Sequence, residues 1–135
     1  MASGKSNYLS QKLLDAEFGL GTYTFPTNAY LALFTTAATA AGPGTEVSGN
    51  NYSRVAVPMS SANWSRSGQT ITNLNQILFP IFSGAVSTVV SVGVMDQLSG
   101  GNLLWFADLP GAYQKSFAAN DQAVYPAGSI TVTES

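Results

Sequence analysis

The apolar residues follow a helical spacing near the N-terminus and a strand-like spacing after it. Residues 6–20, SNYLSQKLLDAEFGL, carry apolar side chains that would share one face of a helix. These side chains are Leu9, Leu13, Leu14 and Phe18. Ser6 can cap the first turn, and Gly19 and Gly21 favour a stop at the other end. We therefore predict one short amphipathic helix.

From residue 28 onward, short apolar segments alternate with turns rich in Gly, Asn and Pro. Residues 29–35 are nearly all apolar, which predicts a strand buried on both faces. Turns near Gly68 and Gly100 should each join two strands in a hairpin, and Pro80 indicates a bulge or a sheet edge. Strand-length segments lie at residues 29–35, 52–57, 61–68, 69–74, 75–82, 88–95, 101–109, 114–118, 123–126 and 129–133.

This spacing predicts a mainly β fold, an antiparallel β-sandwich or jelly-roll with a short N-terminal helix. A chain of 135 residues is long enough to bury one core and too short for a second, so we expect a single domain. Within it we distinguish an N-terminal helical contact segment, residues 1–20, from a β-sandwich domain, residues 21–135.

Charge is scarce in this chain. Charged residues make up 9% of it, against about 25% in ordinary soluble domains, and the net charge is −2. The five Lys and Arg residues are scattered, which argues against binding to nucleic acid. The first residues do not read as a signal peptide, and no segment approaches the roughly 20 apolar residues that cross a bilayer, so we expect a soluble protein without membrane insertion. A surface with little charge repulsion favours burial of part of it against other subunits.

The residue types that carry most enzyme chemistry are missing or unpaired. The chain has no cysteine and no histidine, which excludes disulfides, Cys/His zinc sites and a histidine general base. The acids show neither the pairing that a glycosidase needs nor a calcium-loop spacing. Isolated serines such as Ser48 have no base to activate them. We predict a non-enzymatic protein with no cofactor and no metal.

The stretch GPGTEVSGNNYSRV, residues 42–55, is rich in glycine and asparagine but lacks the Gly-Lys-Ser/Thr ending of a phosphate-binding loop. Glu46 and Arg54 are expected to form an ion pair within one protomer or across an interface. Trp64 and Trp105 could stack on a sugar, but such aromatic residues more often fill a sandwich core or anchor an interface.

The run YLALFTTAATAAGPGTEVSGNNYSRVAV, residues 30–57, closely resembles a hallmark of small proteins encoded among the structural genes of tailed bacteriophages. The segments NYLSQKLLD, GGNLLWFADL and FAANDQAVYPAGSITVT resemble the same family, although Asn120 stands where the family often has glycine. The matching positions of the central motif are Leu31, Ala32, Leu33, Phe34, Thr35, Gly44, Thr45, Glu46, Val47, Ser48, Gly49, Tyr52 and Arg54.

Members of this family are usually labelled tail-fibre proteins, so the resemblance implies a virion component on the surface of a phage particle, assembled in the bacterial cytoplasm. A long fibre needs repeats or a coiled coil, which this chain lacks. We therefore place a capsid-decorating (cement) protein ahead of a tail-fibre or receptor-binding module.

The expected partners are the major capsid protein and copies of the chain itself, as a homotrimer. Tail proteins or a host-surface glycan are the alternative partners. Residues 1–20 are the first candidate for the contact. The candidate interface residues are Tyr8, Leu9, Leu13, Glu46, Tyr52, Arg54 and Trp64.

Overall fold

A computed structural model describes residues 3–134 of the chain. Strand β1 (Ser3–Lys5) and helix α1 (Asn7–Glu17) come first. Eleven further strands follow, with a single 3₁₀ turn at Gly111–Tyr113 between the ninth strand and the tenth. They are β2 (Asn28–Phe34), β3 (Val55–Pro58), β4 (Trp64–Ser67), β5 (Thr70–Asn73), β6 (Ile77–Leu78), β7 (Val86–Val89), β8 (Ser91–Met95), β9 (Leu103–Asp108), β10 (Lys115–Phe117), β11 (Val124–Tyr125) and β12 (Thr131–Thr133).

The largest sheet has five strands in the order β1-β9-β8-β2-β3, and all its neighbours are antiparallel. Three smaller antiparallel sheets accompany it: β10-β7, β11-β6 and β12-β5-β4. The predicted fold class, a mainly β antiparallel domain with one short helix, is therefore confirmed. The hairpins expected near Gly68 and Gly100 are the pairs β4-β5 and β8-β9.

The five-stranded sheet is buried on both faces at strand β2, which lies between β8 and β3. Its residues Leu31, Ala32, Leu33 and Phe34 are all 0% exposed, as the run of apolar residues predicted. Because side chains alternate along a strand, Leu31 and Leu33 enter the main core, which the smaller sheets also line, whereas Ala32 and Phe34 enter a second, smaller cluster on the other face.

Helix α1 is attached to the sheet by its N-cap. The Ser6 Oγ accepts a hydrogen bond from the Leu9 backbone N–H at 3.1 Å, as predicted for a capping residue. The same hydroxyl donates to the carbonyl oxygen of Leu103 at 2.5 Å, and the Ser6 backbone N–H donates to the carbonyl oxygen of Leu104 at 2.9 Å. One side chain therefore starts the helix and fixes it to β9.

Two predicted strands differ from what the structure shows. Residues 75–82 form a strand only at Ile77–Leu78, after which Phe79 and Phe82 turn into the main core. Residues 88–95 are divided at Val90: β7 before it pairs with β10, and β8 after it pairs with β2 and β9. Apolar periodicity detects burial in both segments, but it cannot tell which sheet receives each half.

Gly44 makes a close approach that leaves no room for a side chain. A Cβ built at Gly44 would lie 2.0 Å from the carbonyl oxygen of Thr36, whereas one at Gly42 would meet nothing within 4 Å. We expect Gly44→Ala to lower the free energy of unfolding by about 1–3 kcal/mol, because the backbone must shift. Urea titration with Gly42→Ala as the matched control measures this; equal stability of the two variants would refute the tight contact.

Candidate functional site

The glycine-rich loop between β2 and β3 folds back along the end of β2. The Thr35 backbone N–H donates to the carbonyl oxygen of Thr45 at 2.8 Å, and the Val47 backbone N–H donates to that of Leu33 at 3.0 Å. These bonds place Glu46 opposite Phe34. A loop of this composition, which sequence alone could not orient, therefore becomes a short extension of the sheet.

Glu46, Tyr52 and Arg54 form a single hydrogen-bonded group, here called the carboxylate clamp. The Arg54 Nε and Nη2 donate to the two carboxylate oxygens of Glu46 at 2.9 and 2.8 Å, which is a bidentate pair. The Tyr52 hydroxyl donates to the Glu46 Oε2 at 2.6 Å and accepts a hydrogen bond from the Leu33 backbone N–H at 3.0 Å. The expected ion pair thus forms within one protomer.

Arg54 also reaches the turn between β8 and β9. Its Nη1 donates to the carbonyl oxygens of Gln97 and Gly100 at 2.8 and 2.7 Å. Asp96 closes the same turn by accepting from the Asn102 backbone N–H at 2.7 Å. The residue Arg54 is 9% exposed, so nearly all of the guanidinium's hydrogen-bonding capacity is used inside the protein.

The clamp holds its members in fixed ionisation states. Burial raises the pKa of Glu46, but the hydrogen bonds from Arg54 and Tyr52 outweigh it, so the pKa lies below its ordinary value. The hydrogen bond to Glu46 raises the pKa of Arg54 despite burial, and burial followed by the bond to Glu46 raises the pKa of Tyr52. Glu46 therefore stays a carboxylate at neutral pH and is not poised as a general acid.

A second feature is an apolar cleft of about 580 Å³, here called the tryptophan cleft. The five-stranded sheet lines it with Ala29, Val94 and Trp105, and the three-stranded sheet lines it with Trp64, Ile71 and Val132. Both tryptophans are partly buried. The two sheets, which share the main core, thus leave an opening where their apolar faces remain accessible.

The polar side chains that line the tryptophan cleft are all exposed and are here called its rim: Ser60, Ser61, Arg66, Gln69 and Glu134. Arg66 and Gln69 lie there, and Glu134 forms an ion pair with Lys5, whose ammonium is 6.0 Å from the centroid of the Trp105 ring. The indole N–H of Trp64 is buried and has no hydrogen-bond partner among the described residues.

A third feature is a set of exposed apolar side chains at the end of α1 and just after it, here called the apolar segment, residues 14–25. Phe18 and Leu20 are 76% and 79% exposed, and Leu14 and Phe25 are about half exposed. The ring of Tyr23 packs edge to face on Phe25, with centroids 4.8 Å apart. Exposed apolar side chains in one continuous segment are typical of a contact surface.

The candidate interface residues from the sequence fall into different environments. Leu9 is fully buried inside the chain, whereas Tyr8 and Leu13 are partly buried on α1. Glu46, Tyr52 and Arg54 belong to the clamp, and Trp64 lines the cleft. Their role in an interface stays a prediction. Sequence reasoning missed the exposure of Phe18 and Leu20, because helical periodicity marks apolar positions without saying whether a neighbour covers them.

In residues 3–134, no group of three or more acidic side chains is placed to hold a metal ion. In the same range, no helix is long and apolar enough to cross a membrane.

Comparison with known proteins identifies a phage family. The model of a family described as "Podophage GP4 fiber I protein gp80" matches residues 4–133, so the similarity covers the whole β-domain and α1. No curated protein matches the chain significantly.

Glu46→Gln tests the clamp, because it keeps the shape of the side chain and removes its charge. Loss of the carboxylate leaves a buried guanidinium without its counterion, and we expect the free energy of unfolding to fall by about 2–3 kcal/mol. Arg66→Gln, an exposed position, should change it by less than about 0.5 kcal/mol. Unfolding of both variants by guanidinium chloride measures this. An unchanged stability of Glu46→Gln would contradict a structural role for the ion pair.

The clamp also predicts a pH dependence. The pKa of Glu46 is lowered in the folded protein, so the unfolded chain binds more protons below the ordinary value of 4.5. The contribution of Glu46 is therefore fully present above that value and is lost as pH falls through the folded pKa. We expect stability to fall less steeply with acid in Glu46→Gln than in the wild type. Unfolding free energies from about pH 7 to about pH 3 measure this; parallel curves would refute it.

Proposed function

The chain belongs to the family of the Podophage GP4 fiber I protein gp80, and we propose that it serves as a non-enzymatic structural module of a bacteriophage tail fibre. Membership makes it a virion component of the tail-fibre type. The observation that carries the proposal is the extent of the match, from residue 4 to residue 133, which leaves no large part of the chain for an unrelated activity.

The use of the polar side chains supports a structural role. Glu46, Tyr52 and Arg54 bind one another and the backbone, and their pKa values favour one ionisation state at neutral pH. Asp96 and Asp121 accept hydrogen bonds from backbone N–H groups in turns. These acids and the one buried arginine hold the chain in shape, and none of them faces the tryptophan cleft.

The module would act by adhesion. Burial of apolar surface contributes about 25 cal/mol per Å², and a partner that binds only the folded state also stabilises that state by mass action. The apolar segment and the tryptophan cleft are the surfaces available for such contacts. Copies of the chain and other tail proteins are the proposed partners, at the surface of a particle assembled in the host cytoplasm.

This proposal reverses the order of the two functions considered from the sequence. Head decoration came first there because the chain has neither repeats nor a coiled coil. The family description supports the fibre at least as well, and a compact module can form part of a fibre without being fibrous itself. A contact with the major capsid protein is accordingly an outcome of the test below and not our proposal.

Immunogold labelling of intact particles with an antibody against the purified chain tests the location. We expect gold on the tail fibres, and labelling should persist after a wash in roughly 0.5 M NaCl, where the Debye length is only about 4 Å and apolar contacts are not screened. Gold distributed over the head would support decoration instead, and particles without gold would contradict a virion role.

Deletion of residues 1–20 would be a poor test of whether this segment attaches the chain to the particle. It would also remove β1 and the buried Leu9, so a loss of folding could be mistaken for a loss of contact.

A further inference from the structure

The apolar segment presents large side chains that have no cover within the chain. Leu14 and Phe18 lie one helical turn apart, so they project from the same face of α1, and Leu20 follows directly. The Leu20 backbone N–H donates to the carbonyl oxygen of Asp15 at 2.7 Å, which holds the residues after the helix against its last turn. The residues just after the helix are therefore held in place while their apolar side chains face solvent.

The tryptophan cleft is a cavity of matching character. Its volume of about 580 Å³ lies within the range of roughly 300–1,000 Å³ that is usual for ligand pockets. Apolar side chains of two sheets form its walls, and its polar side chains are the exposed rim residues named above. Most of the surface of the cleft is apolar, which suits a hydrocarbon or aromatic side chain.

Within one copy, no residue of the apolar segment lines the tryptophan cleft. The cleft opens on the main-core face of the five-stranded sheet, to which Val94 and Trp105 contribute. Helix α1 begins on the other side, because the Asn7 backbone N–H donates to the carbonyl oxygen of Ala40, which packs on the second cluster. The sheet stands between the start of α1 and the cleft.

Their charges are complementary. Asp15 and Glu17 are exposed on the last turns of α1, and Arg66 is exposed at the rim of the cleft. Within residues 3–134 the ion pairs are Lys5–Glu134 and Arg54–Glu46, so neither of these acids nor Arg66 has an ionic partner there. Glu134 is also at the rim, but Lys5 neutralises its charge, so Arg66 is the cation that the acidic residues of α1 would meet, and this favours one orientation of approach.

From these observations we infer that the apolar segment of one copy docks into the tryptophan cleft of a second copy. The contact joins two different surfaces, so it is heterologous: in a pair of copies, one keeps a free cleft and the other keeps a free apolar segment. Such contacts close into rings or continue as filaments. The inference deepens the proposed fibre function and rests on it for its biological setting, since a fibre module needs a defined way to join its neighbours.

The test uses the purified full chain, whose only two tryptophans both line the cleft and so report its occupancy. With increasing concentration, we expect sedimentation to show association and tryptophan emission to shift to shorter wavelength in parallel. The double variant Phe18→Ser/Leu20→Ser should raise the dissociation constant at least tenfold. Ile81→Ser, at an apolar position that is 53% exposed and lies outside the segment, should leave it unchanged.

A mixing experiment separates this contact from others. Ser61→Trp adds bulk at the rim of the cleft and leaves the segment intact, whereas Phe18→Ser/Leu20→Ser leaves the cleft intact. We expect each variant alone to be monomeric and an equimolar mixture to give a discrete dimer. Circular dichroism verifies that both are folded. If Ser61→Trp fails to fold, Arg66→Glu replaces it, and combining Arg66→Glu with Glu17→Arg should restore association.

The inference is overturned if the wild type remains monomeric up to its solubility limit, or if Phe18→Ser/Leu20→Ser associates like the wild type. A shift in tryptophan emission on adding host-surface polysaccharide, without self-association, would also overturn it and would assign the cleft to a glycan. None of these results alters where immunogold labels the particle, so failure of this contact and failure of the fibre function are distinguishable.

Discussion

The hydrogen bonds of Glu46 with Tyr52 and Arg54 join parts of the chain that are distant in sequence. Through Tyr52 the carboxylate reaches the backbone of strand β2, and through Arg54 it reaches the turn between β8 and β9. A buried arginine is tolerated only if its charge and its N–H groups are satisfied, and the four hydrogen bonds of Arg54 meet that requirement. A satisfied polar network of this kind fixes one arrangement of the backbone.

The clamp restrains β2, a strand whose register is also set by the core residues on both of its faces. β2 is buried on both faces, so a shift of its register by one residue would exchange the side chains of the main core with those of the second cluster. The clamp holds the loop after β2 against both β2 and the β8–β9 turn, which keeps the register of the sheet. Glu46, Tyr52 and Arg54, which belong to the motif that resembles a phage family, therefore have a structural role in this fold.

Local signals in the sequence were sufficient for much of the fold. The Ser6 cap, the buried strand at residues 29–35 and the two hairpins follow from capping, periodicity and turn residues, which act between near neighbours. The division at Val90 and the cleft could not be predicted, because each depends on how separate sheets pack. Trp64 and Trp105 come from different sheets, and no spacing in the chain brings them together.

The division into residues 1–20 and 21–135 stays a prediction, although β1 and Leu9 form part of the β-domain.

The ion pair of Glu46 and Arg54 holds the fold together, and we propose that contacts with other molecules are made by apolar surfaces elsewhere. A double-mutant cycle between Glu46 and Arg54, with Glu46→Gln, Arg54→Met and the double variant in chemical unfolding, tests this most directly. We expect the two losses of stability to be non-additive, with a coupling of about 1.5–3 kcal/mol. A coupling near zero, with both single variants as stable as the wild type, would contradict the account and would free these residues for a role in binding.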